Sequence, residues 1–200
     1  MRNPILAGKR VYLRPLEPDD ARTIAEFEAQ ETDTTIFSGG RIPHSAIALR
    51  KLFSDAFKTM PPDTVAFAVC LKEDDTLIGQ MGITGIDWVH RHGETFSHLA
   101  PGGEYRGKGF GTEAKHLLLE YAFEHIDLHV LTSWVFEQNE RSAGALAKQG
   151  YKPAGRLKAD GIKRGVYYDD LVFDVLRADW IDARDTRSER GKASTNDVTV

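Results

Sequence analysis

The stretch EYRGKGFGTEA at residues 104–114 places three alternating glycines and two cations directly before a helix-like run. Glycine has no Cβ atom, so the backbone N–H groups of such a turn can converge on an anion. A helix that follows adds the unpaired N–H groups of its first turn and the positive end of its dipole. The stretch therefore predicts a pyrophosphate-binding turn, with Arg106 and Lys108 as counter-charges. A plain surface turn is the alternative.

The spacing of these glycines excludes two familiar phosphate loops. A Walker loop requires GxxxxGK followed by Ser or Thr, and Lys108 is followed by Gly109. A dinucleotide-binding turn requires GxGxxG, whereas Gly107, Gly109 and Gly111 give GxGxG. The pattern that remains is (Q/R)xxGx(G/A), which Arg106, Gly109 and Gly111 fill.

The elements that must position this turn follow from the hydrophobic spacing and the turn residues. Apolar positions and Gly or Pro breaks predict the order β-α-α-β-β-β-α-β-α-β-β. The predicted strands are residues 10–16, 64–71, 76–86, 94–100 and 129–136, followed by a last hairpin, YKPAGRL and VYYDDLVFDVL. This order predicts a mixed α/β (α+β) layer structure in which one strand-to-helix turn carries the glycines.

Composition limits the class of protein. A chain of 200 residues favours one domain, which we expect over residues 1–181, and residues 182–200 are so polar that we expect a disordered tail. The net charge of −4 argues against a nucleic-acid partner, and no apolar run is long enough to span a membrane. The single cysteine, Cys70, lies in an apolar run and is interpreted as a buried core thiol. A cytoplasmic location is expected.

Four motifs occur in the order in which they occur in the GNAT N-acetyltransferase superfamily. They are LRPLEPDDA, YRGKGFGTEA, NERSAGALAKQGYKPAGRLK and DLVFDVLRADW. Over about residues 8–180 the chain resembles that superfamily, and most closely its RimJ/RimL-like branch. The resemblance implies a mixed, mostly antiparallel sheet, flanked by helices, that splays open between the fourth and fifth predicted strands to hold acetyl-CoA.

The resemblance also implies which residues contact acetyl-CoA. The coenzyme's pyrophosphate would lie on the turn formed by Arg106, Gly107, Lys108, Gly109, Phe110, Gly111 and Thr112. Leu99, at the end of the preceding strand, would pair with the pantetheine arm. Asn139 and Ser142 match the family's Asn-x-x-Ser/Ala and would lie near the sulfur, although Asn139 could also be a simple helix cap.

Candidate catalytic residues come from the same strand. If the two extra glycines at positions 102–103 are an insertion, Glu94 falls where several family members carry a catalytic glutamate; an exposed strand-end charge is the alternative. His98 shares a strand face with Glu94 and is the second candidate base. Many relatives have, at the position of Leu146, a tyrosine that acts as general acid for the leaving thiolate. In its absence, Ser142 is the nearest hydroxyl. A thiol pKa near 8.5 also makes a thiolate a tolerable leaving group without an acid.

Together these features predict an acetyl-CoA-dependent N-acetyltransferase that acts on a primary amine, a protein N-terminus or a small amine, by direct attack on the thioester. No metal is expected, since the histidines do not cluster as ligands. A non-catalytic acyl-CoA-binding regulatory module is the alternative. The acceptor stays open, as does a homodimer. The resemblance implies that the two N-terminal helices and the final hairpin shape the acceptor groove. Acidic residues there would suit a cationic amine, and solvated surface charges are the alternative: Glu28, Glu31, Asp33, Asp169 and Asp170.

Overall fold

The computed structural model describes residues 1–32, 44–55, 58, 60–163 and 165–196, with side chains in the last helix described as far as residue 186. The strands are β1 (Leu6–Ala7), β2 (Val11–Pro15), β3 (Val65–Leu71), β4 (Leu77–Asp87), β5 (His92–Leu99), β6 (Val130–Phe136), β7 (Lys152–Lys163) and β8 (Val166–Leu176). The helices are α1 (Ala21–Gln30), α2 (Ala46–Asp55), α3 (Phe110–Glu120), α4 (Glu140–Ala147) and α5 (Arg177–Asn196). A 3₁₀ turn precedes α1, and a π-helical turn follows α3.

The strands form one eight-stranded sheet in the order β1-β2-β3-β4-β5-β6-β8-β7. All neighbours are antiparallel except β5 and β6, which are parallel. This pair is in register only from His92–Val130 to Glu94–Thr132 and then diverges. The predicted mixed sheet, splayed between the fourth and fifth predicted strands, is therefore confirmed. Those strands are β5 and β6 here because β1, with only two residues, was too short to predict.

Alternating residues of the sheet enter two separate cores. Leu13 of β2 and Val69 of β3 pack with α3, whereas Tyr12 and Cys70 pack with α1 and α2 on the opposite face. This alternation follows from the two-residue period of a strand. Cys70 is fully buried and makes no disulfide, and burial raises the pKa of its thiol, so the prediction of a core thiol is confirmed.

A buried ion pair fixes the start of α1 against the sheet. The Arg14 guanidinium in β2 donates to both carboxylate oxygens of Asp20, at 2.7 and 2.8 Å. Asp20 also accepts a hydrogen bond from the backbone N–H of Glu17, which closes the 3₁₀ turn. The direction of α1 is thereby set, and its end carries Glu31, a buried residue, toward the end of β5.

The polar composition predicts a disordered tail from residue 182, and in the structure α5 continues as far as Asn196. Trp180 in the first turns of α5 is 1% exposed and anchors the helix in the main core. Arg184 stacks 4.8 Å from the centre of the Trp180 ring and donates to Glu124. Low apolar content therefore did not exclude a helix here, because α5 begins on a docked segment. None of the described helices is both long and apolar enough to cross a bilayer.

Candidate active site

The glycine turn has the conformation that its sequence requires. Gly107 and Gly109 have φ angles of +77° and +85°, in the left-handed region that L-residues with a side chain rarely adopt. Gly109 is the residue before α3, and in the described residues no side chain caps the helix at this position. The first intrahelical bond runs from the Glu113 N–H to the Gly109 carbonyl, so the N–H groups before Glu113 point out of the helix end. The turn can therefore hold an anion.

An ion pair between residues that are far apart in the sequence holds this turn in place. Glu113, in the first turn of α3, accepts hydrogen bonds from the backbone N–H of Arg10 at 2.7 Å and from its guanidinium at 3.1 Å. Arg10 also donates to the carbonyl of Lys108 and stacks on Phe110. Burial opposes ionisation of Glu113, but its hydrogen bonds to Arg10 and Val11 outweigh burial and lower its pKa. The sequence analysis missed this pair.

Gly111 is required for the packing of α3 on β5. A Cβ atom at this position would lie 2.9 Å from Leu99 Cδ1, closer than real Cβ contacts. The glycine therefore allows the helix start to lie directly against the end of β5. The structure thus brings the predicted phosphate turn and Leu99, the predicted pantetheine contact, into one site.

Arg106 has a different partner from the predicted one. Its side chain is only 14% exposed and pairs with Glu31, which is 2% exposed at the end of α1. The Arg106 guanidinium also donates to the Leu99 carbonyl at 2.7 Å. In this arrangement Arg106 joins the glycine turn to α1 rather than pointing to an anion. Lys108, in contrast, lies exposed on the turn.

The divergence of β5 and β6 opens a slot next to the turn. At its narrow end, Ser133 Oγ donates to the Thr95 carbonyl at 3.3 Å, and the hydroxyls of Thr95 and Tyr151 bond at 2.8 Å. Two residues further along β5, Ser97 is exposed even though it faces α3. The exposure of Ser97 marks the open part of the slot.

Lys115 of α3 is buried at the wall of this slot. Its side chain is 6% exposed, its Nζ lies 3.4 Å from Ser97 Oγ, and it lies 5.6 Å from the centre of the Tyr151 ring. Burial lowers the pKa of Lys115 to about 7. The sequence analysis missed this residue. A signal was present, since Lys115 shares the core-facing spacing of Gly111, Ala114 and Leu118.

Glu94 and His98 lie on the opposite face of β5 from Ser97. Glu94 is half-buried at the last in-register position of β5 and β6, and burial raises its pKa. His98 Nε2 lies 3.9 Å from the carboxylate of Glu31. Burial and the charge of Arg106 lower the pKa of His98, against the opposing effect of Glu31. Two candidate bases thus share a face and have different surroundings.

The two polar residues at the start of α4 form a cap. Asn139 Oδ1 accepts from the backbone N–H of Ser142 at 3.1 Å, so the capping role that the sequence analysis left open is present. The side chain of Ser142 is partly exposed. Leu146 is buried in the core shared with α3, and its carbonyl accepts from the Tyr151 N–H. Burial raises the pKa of the Tyr151 phenol well above its ordinary value.

A second opening lies on the far side of Phe110 from the slot. This cavity of about 350 Å³ is lined by Lys9, Arg10, Leu71, Lys72, Glu73 and Phe110. Its cations add positive charge next to the anion-binding turn. Elsewhere in the described ranges, no group of three or more His, Cys, Asp or Glu side chains could hold a metal ion.

Comparisons with known proteins agree with this geometry. Residues 10–152 match the family model described as the acetyltransferase (GNAT) domain. A putative ribosomal N-acetyltransferase of Bacillus subtilis, YdaF, is 26% identical over 176 residues, which cover 86% of this chain and 94% of that protein. A spermidine N(1)-acetyltransferase of Escherichia coli K12 is 27% identical over 171 residues, 86% of this chain and 88% of that protein.

Solved structures of related proteins have the same fold. The spermidine N-acetyltransferase from Vibrio cholerae in complex with CoA and spermine superposes with a TM-score of 0.77 at 23% identity, covering 86% of this chain and 98% of that one. A structure described as a probable acetyltransferase gives a TM-score of 0.74 at 25% identity, covering 86% of this chain and 96% of that one. The non-catalytic module considered from the sequence has no support among these proteins.

Proposed function

This chain belongs to the GNAT acetyltransferase domain family and is an acyltransferase, and we propose that it moves the acetyl group of acetyl-CoA to a primary amine by direct attack of the amine on the thioester. The observation that carries the proposal is the glycine turn with left-handed Gly107 and Gly109, which opens beside the slot between β5 and β6. We further propose that the chain belongs to the RimJ/RimL-like branch, on the motifs at residues 104–114 and 139–158.

The residues at the turn fit the diphosphate of acetyl-CoA. The N–H groups before Glu113 point out of the α3 end, the helix dipole adds positive charge, and Lys108 is exposed beside them. The bonds of Arg106 to Glu31 and to the Leu99 carbonyl both use Nη2, which leaves the N–H groups of Nη1 and Nε as its donors for a phosphate. We therefore assign phosphate binding to the backbone and Lys108 first, with Arg106 as a contact that coenzyme binding would have to recruit.

The acceptor amine must be neutral to attack, and Glu94 is our candidate for the base that removes its proton. Burial raises the pKa of Glu94, which makes its carboxylate a better proton acceptor. It lies at the last in-register position of β5 and β6, where the two strands begin to diverge. His98, whose lowered pKa keeps it neutral at pH 7, is the second candidate. Each would act directly or through water, and the slot would supply proximity between the amine and the thioester.

The acceptor is the least specified partner. Of the acids expected in the acceptor groove, Glu31 pairs with Arg106, Glu28 with His44 and Asp169 with Arg156. Glu31 and Asp169 therefore already have guanidinium partners within the protein, and Asp33 lies outside the described residues. Asp170 is buried, and burial raises its pKa. We propose a primary amine in general, and keep polyamines and protein N-termini as the two classes to be separated by experiment.

The test is acetyl-CoA-dependent release of CoA with a panel of amines, with the product identified by mass spectrometry. The panel contains spermidine, spermine, amino acids and short peptides with free N-termini. We expect acetyl-CoA to raise the melting temperature and at least one amine to gain an acetyl group. At 100 times its dissociation constant, acetyl-CoA should add about 2.7 kcal/mol to the free energy of unfolding. A melt unchanged by saturating acetyl-CoA would overturn the proposal. The homodimer and the cytoplasmic location stay predictions.

A further inference from the structure

We propose that Lys115 donates the proton that the CoA thiolate takes up as it leaves the acetyl group. This inference rests on the proposed function, since it requires a thioester in the slot between β5 and β6. The sequence analysis left the reaction without a strong proton donor. The structure offers one on the wall of the slot.

The position of Lys115 follows from the packing of α3 along β5. Gly111 of α3 contacts Leu99 of β5, and Lys115, one helical turn later, reaches Ser97, the next β5 residue on the same face. A chain that enters at the glycine turn and follows β5 into the slot therefore passes Leu99 and then Ser97. The ammonium of Lys115 meets it at Ser97, an exposed residue whose Oγ lies 3.4 Å from Lys115 Nζ.

Few charged or titratable groups of the described residues lie near Lys115. β5 presents the hydroxyls of Ser97 and Thr95, and the segment after α4 presents the phenol of Tyr151, the titratable group in contact with Lys115. Burial is the cause of the lowered pKa, and no carboxylate of the described residues contributes to it. No carboxylate of the described residues holds the ammonium in its charged form, and its partners are the neutral Ser97 hydroxyl and the Tyr151 ring, so it can lose its proton readily.

Other groups near the slot are poorer donors. The Ser142 hydroxyl is a very weak acid, and its own backbone N–H is bonded to Asn139. The Tyr151 phenol bonds to Thr95, and burial raises its pKa further above that of a thiol. An ammonium with a pKa of about 7 is a stronger acid than a thiol with a pKa near 8.5. Proton transfer from Lys115 to the thiolate is therefore downhill.

The proposed transfer conserves atoms, electrons and protons. The amine nitrogen of the acceptor forms a bond to the acetyl carbon, and the bond between that carbon and sulfur breaks with its electron pair on sulfur. The sulfur takes a proton from the Lys115 ammonium and leaves as the thiol of CoA. The acceptor nitrogen loses its extra proton to Glu94, directly or through water. Lys115 regains a proton from solvent before the next turnover.

Two substitutions and one profile of the unaltered enzyme test this role. Lys115→Met should lower kcat about tenfold or more with the acetyl-CoA dissociation constant changed less than about threefold. Lys115→Arg keeps the charge but holds its proton too tightly to give it up, so it should be equally slow. Lys152→Met, an exposed lysine next to Tyr151, is the matched control and should keep full kcat.

The pH dependence separates proton donation from a structural role. In the unaltered enzyme, kcat should fall as the pH rises through about 7, because Lys115 then loses the proton it must donate. Lys115→Met should lose this alkaline fall. A flat or rising kcat above pH 7 in the unaltered enzyme overturns the inference even if Lys115→Met fails to fold. Full kcat in Lys115→Met, or a loss of acetyl-CoA affinity alone, also overturns it. If the unaltered enzyme binds no acetyl-CoA, the proposed function fails as well.

Discussion

Burial shifts the pKa values of titratable groups on the two faces of β5 in opposite directions. On the face under α3, burial lowers the pKa of Lys115, while on the other face burial raises the pKa of Glu94. In both cases the charged form loses hydration, so the ammonium becomes a better acid and the carboxylate a better base. In the mechanism that we propose, one strand therefore separates a proton donor for the leaving group from a proton acceptor for the incoming amine. The face that carries Glu94 and His98 is also linked to the glycine turn, through the ion pair between Arg106 and Glu31.

The largest expected effect is a loss of acetyl-CoA binding, caused by substitutions in the glycine turn. Gly109→Val forces a β-branched residue to φ of +85°, and Gly111→Val drives a side chain into Leu99. Either substitution should remove the rise in melting temperature that saturating acetyl-CoA gives. Gly103→Ala, at a position where a Cβ atom would meet nothing within 4 Å, is the control and should keep the full rise. Normal acetyl-CoA affinity in both valine variants would mean that the turn is only structural.

The next effect belongs to the opposite face. Glu94→Gln keeps the shape of the side chain but removes the base, so kcat should fall by about 10²–10⁴ while acetyl-CoA binding changes little. His98→Gln should cost less. Steady-state kinetics and a coenzyme titration on each variant provide the comparison. If His98→Gln loses turnover and Glu94→Gln keeps it, the roles of the two residues are exchanged.

The acidic limb of the pH profile sharpens this assignment. Glu94 acts as a base only when it is ionised, and its pKa lies above its ordinary value of 4.5, so kcat should rise as pH increases through that raised pKa. For His98 the corresponding rise would lie below 6.5, since its pKa is lowered. We expect the rise to disappear in Glu94→Gln and to persist in His98→Gln. Measured kcat values from pH 4.5 to 8 in the three proteins decide between them.

A smaller effect is expected from the ion pair between Arg106 and Glu31, which joins the glycine turn to α1. Arg106→Met leaves the buried carboxylate of Glu31 without its guanidinium partner and should reduce the free energy of unfolding by about 3–5 kcal/mol. Glu31→Gln in the same chain should recover part of this loss. Urea denaturation of the two single variants and the double variant measures the coupling. Additive losses would show that the pair does not join the turn to α1.

The smallest effect is expected far from both faces. The described contacts of α5 with the body of the protein lie between Arg177 and Arg184, so removal of residues 187–200 should leave the melting temperature and kcat unchanged. Trp180→Ala should instead destabilise the fold by about 3–5 kcal/mol, since a fully buried indole is lost. A drop of several degrees in the truncated chain would reveal docking by the end of α5.

The sequence predicted local features well and long-range partners poorly. The strand-to-helix turn and the buried Cys70 follow from spacing and residue type alone, whereas the diverging strands were implied by the resemblance to the GNAT superfamily. The pairs Arg106–Glu31 and Arg10–Glu113 join positions 75 and 103 residues apart, and no local pattern encodes such partners. Lys115 was overlooked because a lysine in an amphipathic helix is normally taken as exposed. The polarity of residues 182–200 gives no signal for α5, which continues from the docked segment around Trp180.

The brace between Arg10 and Glu113 has a consequence for how the protein becomes active during its synthesis. The contact closes a loop of 103 residues, and closing long loops is entropically costly and slow compared with local helix formation. The brace joins the start of β2 to α3, which packs on β2 in the folded protein, so it cannot form before α3 has been made. A growing chain on the ribosome should therefore lack affinity for acetyl-CoA until α3 has emerged, and should acquire it abruptly.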